Sequence, residues 1–178
     1  MKRLTHIDEN NRPRMVDISD KPLSYRVARA SGFIRLQPET LRLVSANRMK
    51  KGNVLLTAEL AGVQASKRTP GLIPLCHLVQ LLHVRVKATL GQTGVTVESD
   101  VRCVDRTGAE MEALTAVSIA LLTVYDMCKA VDPSMTISKI RLIQKMKQPW
   151  TEIPPAGSLS PSESRPTGNK HPRERNRR

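Results

Sequence analysis

The sequence is poor in aromatic residues. They make up 2% of its 178 residues, and Tyr25, Phe33, Tyr125 and Trp150 are the full set. A core built without them must be aliphatic, from Val, Leu, Ile, Ala and Met. The same shortage argues against modules that read nucleic acid by stacking bases on exposed rings of a sheet. Cysteine is scarce too. Cys76, Cys103 and Cys128 are odd in number and none share a two-residue spacing, which argues against a disulfide framework and a cysteine-rich zinc site. Long apolar runs are missing. The longest apolar-rich stretch, Ala113 to Val124, is short and broken by Thr and Ser, so no membrane partner is expected. Lys2-Arg3 has no apolar run behind it, so no secretory signal is expected either. A reducing, cytoplasmic setting is the simplest expectation. The last deficit is acidic: 16 Asp and Glu stand against 29 Lys and Arg, a net charge of +13. That excess points to polyanionic partners, whether nucleic acid, anionic membrane or phosphorylated small molecules. From Trp150 onward six basic residues face three acidic ones, so most of the excess lies in the first 149 residues.

What is present falls into a clear order. Residues 1–20 are polar around Met15-Val16-Asp17-Ile18 and suggest an extended arm. From Val27 to Leu36, Ala28, Ala30, Gly32, Ile34 and Leu36 alternate with Arg29, Ser31, Phe33 and Arg35, which predicts a strand. Pro38-Glu39-Thr40 opens a helix running toward Met49. Asn53 is a candidate cap for a second helix through Leu56, Leu60 and Val63 to Lys67. Thr69-Pro70-Gly71 is expected to turn, and Leu72 to His77 to loop. Gln80–Leu90 and Val95–Val104 flank Gly91-Gln92-Thr93-Gly94 as a hairpin. Gly108 to Val131 predicts a long helix, with Thr107 or Gly108 as its cap, and Met135 to Lys145 a final strand. The sum is an α+β fold. It is a ferredoxin-like split β-α-β-β-α-β sandwich, an antiparallel sheet with helices on one face. Residues 1–149 are expected to form the folded domain and 150–178 a basic, disordered tail.

Four stretches hold more reactive side chains than packing needs. Lys50-Lys51-Gly52 suits a phosphate held beside backbone N–H groups, or is a solvated lysine pair. His77, after Pro74-Leu75-Cys76, can donate to a phosphate, act as acid or base, or sit as a half-buried structural histidine. Cys76 reads as a small buried residue, since nothing near it in sequence lowers a thiol pKa. Glu110 and Glu112 are two apart on a helix and point to different faces, so one can serve the helix dipole while the other reads a ligand. Asp126 and Lys129 are an i,i+3 pair, either a surface ion pair or a proton-tuning unit. Glu112 and Asp126 lie roughly 21 Å apart along one helix at its usual rise. A site using both ends is therefore expected to form between subunits.

Several runs together resemble the MoaC family of molybdenum-cofactor biosynthesis. They are Thr5-His6-Ile7, Met15-Val16-Asp17, Lys51-Gly52, Ala61-Gly62-Val63-Gln64-Ala65, Leu72-Ile73-Pro74-Leu75-Cys76-His77, Glu110-Met111-Glu112-Ala113-Leu114-Thr115-Ala116 and Tyr125-Asp126-Met127-Cys128-Lys129-Ala130. They fall in order over about residues 3–145, and three long runs together are far more specific than one short motif. The resemblance implies a lyase in a homohexamer, a trimer of dimers with sites at the dimer interface. It would convert a cyclised dihydro-GTP to cyclic pyranopterin monophosphate and release pyrophosphate. It implies Lys51, Lys129 and Asp126 as catalytic residues, and Leu75, Cys76, His77, Met111 and Glu112 as substrate-binding. Asp17, Lys67, Glu110 and Lys145 match further pocket positions. No cofactor is firmly implied, although Mg²⁺ is compatible with the triphosphate. Asn53, Leu78, Ala109 and the segment Met146-Lys147-Gln148-Pro149-Trp150 depart from the family pattern, which usually has a glycine-rich segment after the last strand. Two other readings compete: a nucleic-acid-binding ferredoxin-like module, and a catalytically inactive scaffold of the same family.

Overall fold

A computed structural model gives the arrangement of residue 10 and residues 12–150, and the description below is of these. Four strands form one antiparallel sheet: β1 (Ser24–Arg35), β2 (Leu81–Leu90), β3 (Gly94–Asp105) and β4 (Thr136–Pro149). Their spatial order is β2-β3-β1-β4. Helices α1 (Pro38–Ser45), α2 (Val54–Ser66) and the single turn α3 (Thr69–Leu72) separate β1 from β2, and α4 (Glu110–Cys128) separates β3 from β4. This is the split arrangement expected of a ferredoxin-like fold. The expected tail lies outside the described residues from residue 151 on, as does the start of the N-terminal arm.

The alternation in β1 sets the layers. Ala28, Ala30 and Ile34 are buried under the helices, with Val95, Val97 and Val101 of β3 and Val117, Leu121 and Val124 of α4. The opposite sheet face carries a small apolar cluster, Tyr25, Val27 and Val104 with Met146 against them, and an ionic one beside it. There Asp100 pairs with Arg29 at 2.8 Å and Arg102 at 3.0 Å. Phe33, on that face, has the Lys139 ammonium 5.8 Å from its ring centre. A base-stacking platform of several open rings does not exist on this sheet, which weighs against the nucleic-acid module.

Helix α4 is long and apolar enough to cross a membrane by length and composition alone. The earlier expectation rested on a shorter apolar stretch, and length is not what argues against a span. Ala113, Ala116, Val117, Ala120, Leu121 and Val124 are all fully covered by the rest of the fold, which is the position of a core helix.

Three local expectations need correction. Helix α1 ends at Ser45 rather than near Met49, because Asn47 adopts φ 53°. The Arg48 N–H then reaches back to the Leu43 carbonyl at 2.9 Å, a left-handed termination that Asn tolerates. Thr69-Pro70-Gly71 is helical rather than an open turn. Proline suits the first turn of a helix, and the Ile73 N–H closes it on the Thr69 carbonyl at 3.0 Å. Neither Thr107 nor Gly108 caps α4. Ala109 holds the cap position without a side-chain bond.

The departing segment after Lys145 also has a plain role. Strand β4 continues through it, and Met146, Lys147, Gln148 and Pro149 pair with Val27, Arg26, Tyr25 and Ser24. Pro149 ends an edge strand, where a missing N–H costs little.

Candidate active site

Helices α2 and α4 lie side by side and run antiparallel. Lys51, just before α2, reaches Asp126 near the end of α4. Eleven residues after Lys51, within α2, Gly62 packs so closely on α4 that an added Cβ would sit 2.8 Å from the Ala116 carbonyl oxygen. The two-helix layer therefore has two ends, and each carries a cluster of the residues singled out from sequence.

The first cluster is ionic and open to solvent. The Lys51 Nζ donates to Asp126 Oδ2 at 2.6 Å, and the Lys129 Nζ sits 2.8 Å from Asp126 Oδ1. Lys51 also donates to the Asp126 backbone carbonyl at 3.0 Å, where a cation suits the C-terminal end of a helix. Local sequence explains why the parts meet. Asn53 caps α2, its side chain accepting from the Leu56 N–H at 3.0 Å, and Gly52 takes φ 90° to enter that cap. Only glycine adopts this backbone freely. On the other side, Asp132 fixes the exit of α4. It is 1% exposed and accepts from the Gln37 N–H at 2.7 Å and from Ser134 N–H and Oγ. Sequence reading missed Asp132, although Asp132-Pro133-Ser134 is an Asx-turn signal. The Lys129 and Lys51 hydrogen bonds hold the Asp126 carboxyl down to about 2. Asp126 in turn raises Lys129. All three side chains are about half exposed, so their pairing contributes little to folding. Their value lies in a carboxylate fixed between two ammonium groups.

The second cluster surrounds a cavity of ≈ 350 Å³. Leu75, Cys76 and His77 from the loop before β2 line one side, and Thr107, Gly108, Glu110 and Met111 at the entry to α4 line another. Val16, Ile18 and Lys21 of the N-terminal arm complete it. Glu110 pairs with Lys145 of β4. Burial works to raise the Glu110 carboxyl, but the Lys145 bond and charge, helped by Arg26, hold it below its ordinary range. A Cβ at Gly108 would run into the end of the Glu110 side chain and turn its carboxylate from the present position.

Glu112 lies behind this cavity rather than on its wall. It is 1% exposed, its Oε1 accepts from the Cys76 thiol at 3.7 Å, and its Oε2 has no hydrogen-bond partner among the described residues. Burial raises its pKa, with smaller contributions of the same sign from Glu110 and Asp105. Burial and then Glu112 push the Cys76 thiol up to about 11, so Cys76 stays a thiol at neutral pH and is no nucleophile. Glu110 and Glu112 thus do point to different surroundings, one ion-paired and one buried.

The raised Glu112 pKa has a consequence for stability. An acid whose folded pKa exceeds its unfolded value favours folding below the unfolded pKa and loses that contribution as pH rises through the folded one. Glu112→Gln removes the ionisation. It is expected to raise Tm at neutral pH by roughly 2–4 °C, the effect of about 1 kcal/mol in a chain of this size. The gain should shrink toward zero as pH falls through the ordinary carboxyl range. A variant less stable than the parent at pH 7 would contradict the assignment, and thermal melts from acid to neutral pH measure it.

Two pocket candidates stand apart. The Asp17 carboxylate accepts from Ser19 N–H and Oγ at 2.9 and 2.5 Å, while its neighbours Val16 and Ile18 face the cavity. Lys67 is the exposed C-cap residue of α2, at the cavity end of the helix layer, without a side-chain partner among the described residues. Within one protomer the two clusters stay apart: Glu110 and Asp126 are sixteen residues apart on α4, roughly 24 Å at helical rise. Sequence reading missed the arm residues Val16, Ile18 and Lys21 as cavity walls.

The MoaC family model matches residues 15–148. A cyclic pyranopterin monophosphate synthase from Roseiflexus sp. (strain RS-1) is 54% identical over 147 residues, covering 82% of this chain and 93% of its own length. The protein of that name from Thermomicrobium roseum is 53% identical over 147 residues, 82% of this chain and 89% of the relative. Its counterpart in Parvibaculum lavamentivorans is 51% identical over 146 residues, 81% and 91% of the two chains. The matched span contains both clusters and all but the last residue of the strands and helices that position them, and on this footing the chain belongs to the MoaC family.

Proposed function

We propose that this chain is a lyase of molybdenum-cofactor biosynthesis. It converts (8S)-3',8-cyclo-7,8-dihydroguanosine 5'-triphosphate to cyclic pyranopterin monophosphate and releases pyrophosphate. The observation that carries the proposal is the meeting of Lys51, Asp126 and Lys129, brought from separate parts of the chain into one unit with a net positive charge. A triphosphate substrate needs cations to offset its charge and to stabilise departing pyrophosphate. The ring rearrangement needs repeated proton transfers. Asp126 enters as a carboxylate and Lys129 as an ammonium. A phosphate that draws Lys51 or Lys129 away removes what holds Asp126 down, so Asp126 becomes a better proton acceptor as substrate binds. Leu75, Cys76, His77 and Met111 form the substrate pocket at the other end, with Glu110, Glu112, Lys145, Lys67 and Asp17 around it.

One ligand does not reach both clusters in one protomer. We therefore propose a two-fold dimer whose partner supplies the second cluster, three such dimers making the homohexamer, and a cytoplasmic setting. A two-fold axis that sets the antiparallel helix layers of two copies together would bring the lysine unit of one copy to the cavity-bearing end of the other. Mg²⁺ accompanying the triphosphate would be held chiefly by the phosphates, since the described residues offer no group of three or more His, Cys, Asp or Glu.

The test is purified protein incubated with the cyclised triphosphate, following pyrophosphate and the pterin product. Stoichiometric release of both is expected. Absence of turnover by folded protein would favour the inactive-scaffold reading.

A further inference from the structure

The N-terminal arm does more than line the cavity. Its path is fixed locally: Asp17 accepts two hydrogen bonds from Ser19, and the Lys21 N–H donates to the Ile18 carbonyl at 3.1 Å. This turn places the Val16 carbonyl 2.8 Å from Nε2 of His77. A carbonyl oxygen has no proton to give, so Nε2 must carry the hydrogen of this bond. In a neutral imidazole the other nitrogen, Nδ1, is then a lone pair. No described residue hydrogen-bonds to His77 Nδ1, and the ring lines the cavity beside Cys76 and Met111.

We infer that the arm is a positioning element that locks His77 as its Nε2–H tautomer and leaves Nδ1 as the ring nitrogen available to the bound molecule. The inference rests on the cavity being the substrate's half-site. It chooses between the two active roles the sequence leaves to His77. A neutral His77 held this way accepts an N–H or O–H of the substrate, or takes a proton from it. It does not donate to a phosphate oxygen, because its one N–H is already spent on Val16. The phosphates are left to the lysines. The specificity of this end of the site is thus for a hydrogen-bond donor, as nucleobase nitrogens and sugar hydroxyls are. The arm matters through the backbone of Val16, so no side-chain motif reveals it.

The test reads the imidazole directly and needs no turnover. The full chain is labelled with ¹⁵N-histidine, and its ring nitrogens are recorded at about pH 8, above the ordinary histidine pKa of about 6.5. The chain has four histidines, and His77→Gln identifies the signal. The expected result is a protonated Nε2, an unprotonated Nδ1 far downfield of it, and an Nε2–H proton protected from exchange. The double variant Asp17→Ala/Ser19→Ala loosens the turn of the arm without touching the ring. It should lose the protected proton and move the two nitrogen shifts toward each other as the tautomers mix. An Nδ1–H tautomer in the parent chain overturns the inference. So does an unchanged, protected Nε2–H in the loosened variant, provided that variant melts as the parent does. If it melts lower, the parent's tautomer alone decides. An inactive chain that shows the locked tautomer would count against the proposed reaction and leave the tautomer assignment standing.

Discussion

Lys129→Ala is expected to abolish pyrophosphate release, a loss of about 10²–10⁴-fold or more, with Tm and oligomer size unchanged. The side chain is about half exposed and its ion pair with Asp126 lies open to water, so little folding energy goes with it. What goes is an ammonium that lowers the Asp126 pKa and that the proposed reaction uses to anchor phosphate. Lys51→Ala should behave the same way, because Lys51 bonds the other oxygen of the same carboxylate. Near-normal rates in either variant would sink the catalytic assignment.

The same experiment reaches the shared site. Glu110→Ala damages the cavity end by leaving Lys145 without its partner, and it should also be inactive alone. If a site combines the cavity of one protomer with the lysines of its partner, co-expressing Lys129→Ala and Glu110→Ala chains creates mixed dimers. Each mixed dimer carries one site damaged twice and one intact. Random pairing makes half the dimers mixed, so activity should return to about a quarter of the parent's. If each site lies within one protomer, both copies are damaged and mixing recovers nothing. Steady-state rates of the co-expressed protein, measured without separating its species, decide between these outcomes.

The second large effect is on folding. Gly94→Ala is expected to lower Tm by roughly 6–12 °C, the effect of about 3 kcal/mol. A Cβ on Gly94 would run into the Ile34 carbonyl oxygen and lie 2.7 Å from the Phe33 ring. Ile34 is fully buried on a central strand paired on both sides, so its backbone has nowhere to move. Gly71→Ala is the control. Nothing lies within 4 Å of a Cβ there, and its Tm should stay within the few degrees usual for a harmless surface change. Equal melting of the two variants would mean that the hairpin end tolerates what the packing forbids.

Much of this architecture was legible in the residues. The alternation from Ala28 to Leu36 marks a central strand. Asn53 marks a helix start, and the cap forms as read, with its oxygen on the Leu56 N–H. Gly91 to Gly94 marks the hairpin. These signals are local: each depends on a period or a turn chemistry within a few residues. The family runs named the same candidates, because chemistry-bearing side chains sit in long, ordered stretches of sequence.

What stayed hidden was non-local. Met146–Pro149 lies past the predicted end of the final strand at Lys145, yet it pairs with Ser24–Val27 from the other end of the chain. Helix α1 stops early because one asparagine takes a left-handed backbone, a choice open to many asparagines that do not end helices. Glu112 reads as a first-turn acid that suits the helix dipole. Its near-total burial against Cys76 follows from the loop before β2 folding over α4, which no periodicity encodes.

The sequence alone determined the order of strands and helices, the aliphatic core, the surplus of positive charge and the identity of the reactive side chains. Tertiary structure decided which of those side chains meet. It joined Lys51 to Asp126 and Lys129, set Glu110 on Lys145, buried Glu112, and laid the Val16 carbonyl against His77. The reason is physical. Secondary structure follows from interactions over a few residues, whereas a hydrogen bond between distant positions exists only once the sheet and helix layers have packed and fixed its geometry.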